Sequence, residues 1–155
     1  MKKILFITPQ PFFEIRGTPI ATKNMLEILS SKYKIDFISF PFGKKIFIKN
    51  VNQSVSWTFG FSKVKIGPSF KKIILDFGLL IKSLSFALSN DYLVVHANEE
   101  SALIGVIIKK IKHIPLVYDM DSIMSEQIKN SKFAFITPLF ELMEKIIIKN
   151  STSSS

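Results

Sequence analysis

Residues 4–40 read ILFITPQPFFEIRGTPIATKNMLEILSSKYKIDFISF, in which two short apolar runs flank an amphipathic segment. The runs at 4–7 and 35–40 have β character and predict strands that are buried on both faces. Between them, apolar residues recur at spacings of three and four over 20–31, which predicts a helix. The predicted apolar positions of this helix are Ala21, Met25, Ile28 and Leu29. Strand, helix and strand within about 40 residues make a βαβ unit.

The same alternation continues along the rest of the chain. Further elements are predicted as strands at 54–60, 63–67, 92–95 and 115–118, and as helices at 70–88, 99–112 and from Thr137 onward. Interleaved strands and helices are typical of an α/β, Rossmann-like, doubly wound and mostly parallel sheet. We expect one domain over residues 1–149, truncated where one more strand would follow, and a disordered polar tail over 150–155.

The composition fits one folded domain and excludes several classes of protein. Hydrophobic residues make up 47% of the 155 residues and charged residues 21%, which excludes a disordered chain. No apolar stretch reaches the roughly 18 residues that a membrane-spanning helix needs. The apolar run at the start ends at Thr8, too soon for a secretion signal. Cysteine is absent, which excludes disulfides and thiol nucleophiles. Together these features predict a cytoplasmic protein.

The net charge of +9 predicts attraction to an anionic partner. Lysine supplies all of the side-chain basic charge except that of Arg16, whereas proteins that read nucleic acids rely on arginine. The composition therefore argues against a nucleic-acid partner. Two interpretations of the lysine excess stay open. One is a general contribution to solubility; the other is a peripheral contact with an anionic membrane through residues 71–75 and the apolar positions that follow.

The loop after the first predicted strand contains a candidate anion site. Thr18 is predicted as the N-cap and Pro19 as the first residue of the helix, so that free backbone N–H groups point towards Gly17. Glycine at this position lets the backbone approach a ligand closely. An ordinary turn and cap would produce the same pattern, so both interpretations stay open.

Two more loops carry polar residues where predicted strands end. In the first of them, Asn98 is predicted to cap a helix whose first turn contains Glu99. His96 in this loop either binds a substrate hydroxyl or is a buried structural side chain. In the other loop, Asp119 and Asp121 are spaced by one residue. This pattern could hold Mg²⁺ or Mn²⁺ against a diphosphate, or one Asp could cap the next helix.

Six segments, in chain order, carry a resemblance to a known family. They are ILFITPQPF, RGTP, YKIDFISFPFG, KIGPS, VVHANEESALIG and IPLVYDMDS. Over residues 1–149 the chain resembles the N-terminal domain of family 4 glycosyltransferases, which have the GT-B fold. In that family two Rossmann-like domains face each other: the N-terminal domain mainly holds the acceptor, and the C-terminal domain grips the nucleotide-sugar. The resemblance implies transfer with retention of anomeric configuration, without a metal or another cofactor.

The resemblance also implies a role for the loop before the first helix. Gly17 and Thr18 match the family's glycine loop, whose backbone approaches the donor diphosphate. Arg16 lies beside this loop in the sequence, where it would contact an anionic acceptor or a phosphate. The resemblance therefore makes all three residues candidates for substrate binding.

The two later loops match the family motifs with one departure each. Residues 96–99 resemble H-A-H-E, but Asn98 stands where the family has its second histidine. Residues 118–122 resemble Y-D-M-H-S, but Asp121 stands where the family has the histidine near the transferring sugar. Asp121 is therefore the candidate catalytic residue. The candidate substrate-binding residues of these two loops are His96, Asn98, Glu99, Asp119 and Ser122.

The resemblance predicts the N-terminal half of a retaining glycosyltransferase. Its substrates would be a nucleotide-sugar donor and an envelope or lipid-linked glycan acceptor, and the isolated chain would be incomplete for turnover because the donor-binding domain is absent. Two alternatives stay open. One is a non-catalytic Rossmann-like module that binds an anionic sugar or a partner chain. The other is a metal-dependent transferase that uses Asp119 and Asp121.

Overall fold

The helices and strands alternate along the whole chain. The computed structural model describes residues 1–63, 69–120, 124–129 and 134–151. The strands are β1 (Lys3–Pro11), β2 (Lys34–Phe40), β3 (Val51–Val55), β4 (Val94–Asn98) and β5 (Leu116–Asp119). The α-helices are α1 (Gly17–Ser30), α2 (Phe70–Ser89), α3 (Ala102–Lys112), α4 (Met124–Lys129) and α5 (Thr137–Asn150). Short 3₁₀ turns at Glu99–Ser101 and Ala134–Ile136 precede α3 and α5.

The five strands form one parallel sheet in the order β3-β2-β1-β4-β5. Helix α1 covers one face of the sheet, and α2, α3 and α5 cover the other. The predicted Rossmann-like, doubly wound α/β fold is confirmed. The strand order reverses between β1 and β4, and in open α/β sheets a ligand binds outside the carboxyl ends of the strands at such a reversal.

Each face of the sheet has its own apolar core. On the α1 side, Leu26 packs with Phe6 and Phe37, whose rings meet edge to face with centroids 5.7 Å apart. On the other side, α2 and α3 pack over the apolar residues of the central strands. Gly105 of α3 lies directly against β5, because a Cβ there would be 2.4 Å from the Cδ1 atom of Leu116. Both cores are fully buried, as expected for a central parallel sheet.

Several predicted strand and helix boundaries were wrong. Strand β1 continues to Pro11, so residues 8–11 belong to the strand and not to the loop predicted after residue 7, and α1 begins at Gly17 rather than at residue 20. Strand β4 is Val94–Asn98 rather than 92–95, and Tyr92 lies before it, where its hydroxyl donates a 2.7 Å hydrogen bond to Asp36. Strand β3 is Val51–Val55 rather than 54–60. The helix predicted over 99–112 is split, because Glu99 has a φ of +48° and left-handed backbone interrupts a right-handed helix. The strand predicted at 63–67 lies almost entirely outside the described residues.

The predicted inward face of α1 was correct in part: Met25 and Leu29 pack against the core, whereas Ala21 is exposed. Thr22, Leu26 and Ser30 are buried, whereas Ile28 is exposed. The helix is rotated relative to its apolar pattern, and the hydrogen bond of Thr22 described below accounts for the burial of that residue. At the end of the chain, α5 includes Asn150, the first residue of the predicted tail, and residues 152–155 lie outside the described residues.

Candidate functional site

The carboxyl ends of β1, β4 and β5 bring the predicted loops to one edge of the sheet. In the strand register Ile7 lies beside Ala97, and Asn98 lies beside Asp119. The end of β4 therefore stands between the end of β1 and the end of β5. This edge also receives the N-terminus of α1, since α1 follows β1 directly.

Helix α1 begins at Gly17 without a side-chain cap. Arg16 is the N-cap residue in extended backbone geometry, and its carbonyl accepts the Ile20 N–H at 3.1 Å. The prediction that Thr18 is the N-cap was therefore wrong. The first turn contains no acidic residue, and a Cβ built on Gly17 would meet no atom within 4 Å. The first N–H groups of a helix have no acceptor inside the helix, so those of Gly17 and Thr18 lie at its positive end.

Arg16 is held at this helix end by an ion pair. Its Nε lies 2.7 Å from Oε2 of Glu14, and both side chains are about one-third exposed. The pair leaves the terminal nitrogens of the guanidinium as potential donors to an anion, because guanidinium presents five N–H groups in a planar fork.

The turn after β2 holds the loop between β1 and α1 in place. The Phe12 N–H donates to the Phe42 carbonyl at 3.1 Å, and the Lys44 N–H donates to the Phe13 carbonyl at 3.1 Å. Gly43 has a φ of +92°, and a Cβ at this position would lie 2.7 Å from the backbone of Phe12. Only glycine fits between these two loops, so the turn at residues 41–43 supports the loop that leads to the candidate site.

Asn98 connects this edge of the sheet to α1 rather than capping a helix. Its Nδ2 donates to Oγ1 of Thr22 at 3.2 Å, and the predicted capping hydrogen bond is absent. Thr22 lies five residues after Gly17, about 8 Å along the helix axis. The Oδ1 atom of Asn98 is buried and has no hydrogen-bond partner.

Two more buried polar atoms without partners lie on the α1 side of the sheet. They are Nε2 of His96 and Oγ1 of Thr8. The His96 ring stacks on Phe6 with centroids 4.3 Å apart, and strand alternation places Thr8 on the same face as Phe6. Burial lowers the pKa of His96 to about 4, so the ring is neutral at pH 7. Buried polar groups normally have a partner, so these three atoms are candidates for hydrogen bonds to a ligand or to ordered water.

Glu99 occupies strained backbone at the same edge. A non-glycine residue at a φ of +48° is uncommon, and strain of this kind concentrates at binding and catalytic sites. Gln10 Nε2 donates to Oε1 of Glu99 at 2.7 Å. The hydroxyl of Ser101 donates to the carbonyls of Asn98 at 2.6 Å and Ile7 at 3.0 Å. These bonds fix the strained turn between the ends of β1 and β4.

The opposite side of the sheet contains a cluster of charged residues that the sequence analysis did not single out. Lys72 of α2 forms an ion pair with Glu100, and both side chains are less than one-fifth exposed. Burial lowers the pKa of Lys72, but Glu100 reverses the effect and the pKa is raised overall. Burial and the charge of Glu100 raise the pKa of Asp76 to about 8. In the sequence, the feature that could have indicated this cluster is the pair Lys72 and Asp76, which are four residues apart in a largely apolar helix.

Of the remaining predicted site residues, Asp119 lies at the end of β5. It is the last residue of this strand and is half-buried. Asp121 and Ser122 lie outside the described residues. Burial and the nearby Glu144 raise the pKa of Tyr118 to about 12, and its hydroxyl has no partner. Within the described ranges, no group of three or more His, Asp or Glu side chains is arranged to hold a metal ion.

The described helices also bear on the membrane question. None of them is long and apolar enough to cross a bilayer.

Comparisons with known proteins support the fold assignment. No protein-family model matches the chain, and no curated protein matches it. Among solved structures, the chain is similar to a sucrose-phosphate synthase from Thermosynechococcus elongatus, with a TM-score of 0.70 and 12% sequence identity. The match covers 97% of this chain but only 41% of the synthase chain. The likeness shows the shared fold, and the chain has the Rossmann-like α/β architecture found in a GT-B glycosyltransferase.

Proposed function

We propose that this chain is the acceptor-side half of a retaining glycosyltransferase. The enzyme would transfer a sugar from a nucleotide-sugar to an envelope or lipid-linked glycan acceptor in the cytoplasm. The observation that carries the proposal is the uncapped N-terminus of α1, with open space at Gly17, at the strand-order reversal of a GT-B type of fold. An uncapped helix N-terminus without acidic residues in its first turn favours an anion.

In this proposal the donor diphosphate lies against the start of α1. The N–H groups of Gly17 and Thr18 donate to its oxygens, and the positive end of the helix dipole stabilises the charge. Charge develops on the leaving diphosphate as the glycosidic bond breaks, so fixed donors at this position lower the barrier. Arg16 supplies a further cationic donor, with Glu14 orienting its side chain.

The unpartnered atoms on the α1 side would bind hydroxyls of the sugar or the acceptor. A neutral His96 offers one ring nitrogen to a hydroxyl, and Asn98 Oδ1 accepts from another. Glu99 and Asp119 stand at the ends of neighbouring strands as further acceptors. By resemblance, Asp121 lies next to the transferring sugar as the catalytic residue, and Ser122 contacts the substrate.

A second domain would complete the active site. The chain spans 41% of the synthase to which it is similar, and one domain cannot enclose a substrate and exclude water from it. We propose that the nucleotide-sugar is gripped between this chain and a donor-binding domain. No metal or other cofactor takes part in the proposed transfer.

A second candidate function is a non-catalytic module that binds an anionic sugar or a partner chain. The hydrogen bond between Asn98 and Thr22 favours this second function. It gives Asn98 a structural role between α1 and β4, at the position where the family has a histidine. The same anion site at Gly17 would then bind its ligand without transfer.

A transfer screen separates the two functions. UDP-, GDP- and ADP-sugars are assayed for hydrolysis and transfer with the chain alone and with the chain joined to the sequence encoded after it. Turnover in the joined protein alone would establish half of a glycosyltransferase. Binding without turnover in a folded joined protein would establish the binding module.

The anion site itself is tested by a matched pair of substitutions. Gly17→Asp places a negative charge at the start of α1, and Gly17→Asn adds nearly the same volume without charge. The space around Gly17 is open, so both variants should fold. We expect Gly17→Asp to bind a nucleotide-sugar at least tenfold more weakly than Gly17→Asn by calorimetry. Equal affinities would contradict a diphosphate at this position.

A further inference from the structure

The outward face of α2 is an exposed apolar stripe that the proposed transferase site does not use. Phe70, Ile73, Phe77 and Ile81 follow one another at spacings of three and four, so they lie along one face of the helix. Phe70 is 74% exposed, Ile73 65% and Phe77 59%. A helix that packs on a core by its other face normally exposes polar residues here. The stripe is therefore an apolar face without a partner in the described structure.

Two aromatic side chains widen this stripe. Trp57 and Phe59 are each about half exposed, and their rings meet edge to face with centroids 6.2 Å apart. Phe59 packs on α2 at Gly78, where a Cβ would lie 2.6 Å from the Phe59 ring. We define the α2 surface as the six residues Trp57, Phe59, Phe70, Ile73, Phe77 and Ile81.

The part of the chain from residue 37 to residue 75, which contains four of the six residues of the α2 surface, is rich in lysine. Residues 37–75 contain seven lysines and no Asp or Glu, so they supply +7 of the net charge of +9. Lys71 and Lys82 stand about three helical turns apart and lie to one side of the stripe. Their Nζ atoms lie 5.4 Å from the ring centroid of Phe61 and 5.5 Å from that of Phe86, respectively. These two lysines lie about a quarter of a turn around α2 from the apolar stripe, so positive charge flanks the stripe on one side.

We infer that the α2 surface docks onto an anionic lipid membrane. An interfacial helix buries apolar side chains among the acyl chains while lysines contact the headgroups, and indole rings prefer the boundary between the two. A second copy of the chain fits less well, because two lysine-rich faces would repel each other. The inference goes beyond the proposed transfer of sugars and does not depend on it.

Vesicle sedimentation tests the inference with the full chain. Vesicles of phosphatidylcholine mixed with phosphatidylglycerol are compared with vesicles of phosphatidylcholine alone, at low and high salt. We expect binding to the anionic vesicles only, weakened by salt. The variant Phe70→Ser/Ile73→Ser/Phe77→Ser should lose at least tenfold in affinity, and Lys71→Gln/Lys82→Gln on the order of tenfold.

A matched variant controls for general loss of apolar surface. Leu139 and Leu142 of α5 are 55% and 54% exposed, and Leu139→Ser/Leu142→Ser should bind vesicles like the unmodified chain. Circular dichroism verifies that each variant is folded. Equal binding by all variants would overturn the inference, as would binding that ignores lipid charge. Self-association that the triple variant abolishes, without vesicle binding, would assign the surface to a second copy and also overturn it.

Discussion

At the carboxyl edge of the sheet, the polar groups on the α1 side and those on the α2 side are arranged differently. On the α1 side, buried atoms of Thr8, His96 and Asn98 have no partners, and Asn98 contacts α1 through Thr22. On the α2 side, Lys72 and Glu100 neutralise each other in an ion pair. Asp76, Ser83 and Tyr118 on the α2 side also have a buried side-chain oxygen without a partner, so the number of such atoms does not distinguish the two sides. The difference is the uncapped start of α1, which favours an anionic ligand on the α1 side, whereas the Lys72–Glu100 ion pair supports the fold on the α2 side.

The largest expected effect tests the structural role of the α2 side. Lys72→Met leaves the largely buried carboxylate of Glu100 without its partner, so the free energy of unfolding should fall by about 3 kcal/mol. Lys71→Met, one residue earlier and exposed, should cost less than about 1 kcal/mol. Urea unfolding measures both variants. Similar losses in the two would remove the distinction between a structural ion pair and an ordinary surface lysine.

The next largest effect is a loss of stability at acid pH caused by His96 on the α1 side. Burial lowers the pKa of folded His96 to about 4, below the ordinary value of 6.5 in the unfolded chain. The unfolded chain therefore binds the extra proton first as the pH falls, and stability is lost between these two values. From about pH 7 to about pH 5 this contribution is about 2 kcal/mol. His96→Gln should show a correspondingly smaller loss of stability over the same range. Parallel pH profiles for the two proteins would contradict a neutral, buried His96.

For Asp76 we expect a smaller pH dependence of stability, and in the opposite direction to that of His96. The pKa of Asp76 is raised by burial and by Glu100 from 3.8 to about 8, so the folded state favours the protonated carboxyl and loses stability as the pH rises from the unfolded value until it has passed 8. Asp76→Asn removes this loss because the amide does not titrate. Its stability relative to the unmodified chain should increase by about 1 kcal/mol between about pH 7 and about pH 9. Thermal unfolding at both values measures it, and a constant difference would refute the assignment.

The fold followed from local patterns, whereas the site depended on distant contacts. Helix α2 was predicted at 70–88 and is Phe70–Ser89, because its apolar spacing and its start after Gly67-Pro68-Ser69 are visible in the sequence. Asn98 was predicted to cap a helix, but its partner Thr22 lies 76 residues away. Glu100 is likewise distant from Lys72 along the chain. Spacing along one helix or strand says nothing about such pairs, so only the assembled sheet could reveal them.

Mapping a nucleotide-sugar on the chain by amide chemical shifts tests the central claim most directly. We predict that titration with UDP-, GDP- or ADP-sugars shifts the backbone amides of Gly17 and Thr18, with smaller changes at Asn98 and Glu99. The amides of Lys72 and Asp76 on the opposite side of the sheet should stay in place. Shifts concentrated at the α2 side, with those of Gly17 and Thr18 unchanged, would contradict an anion site at the start of α1.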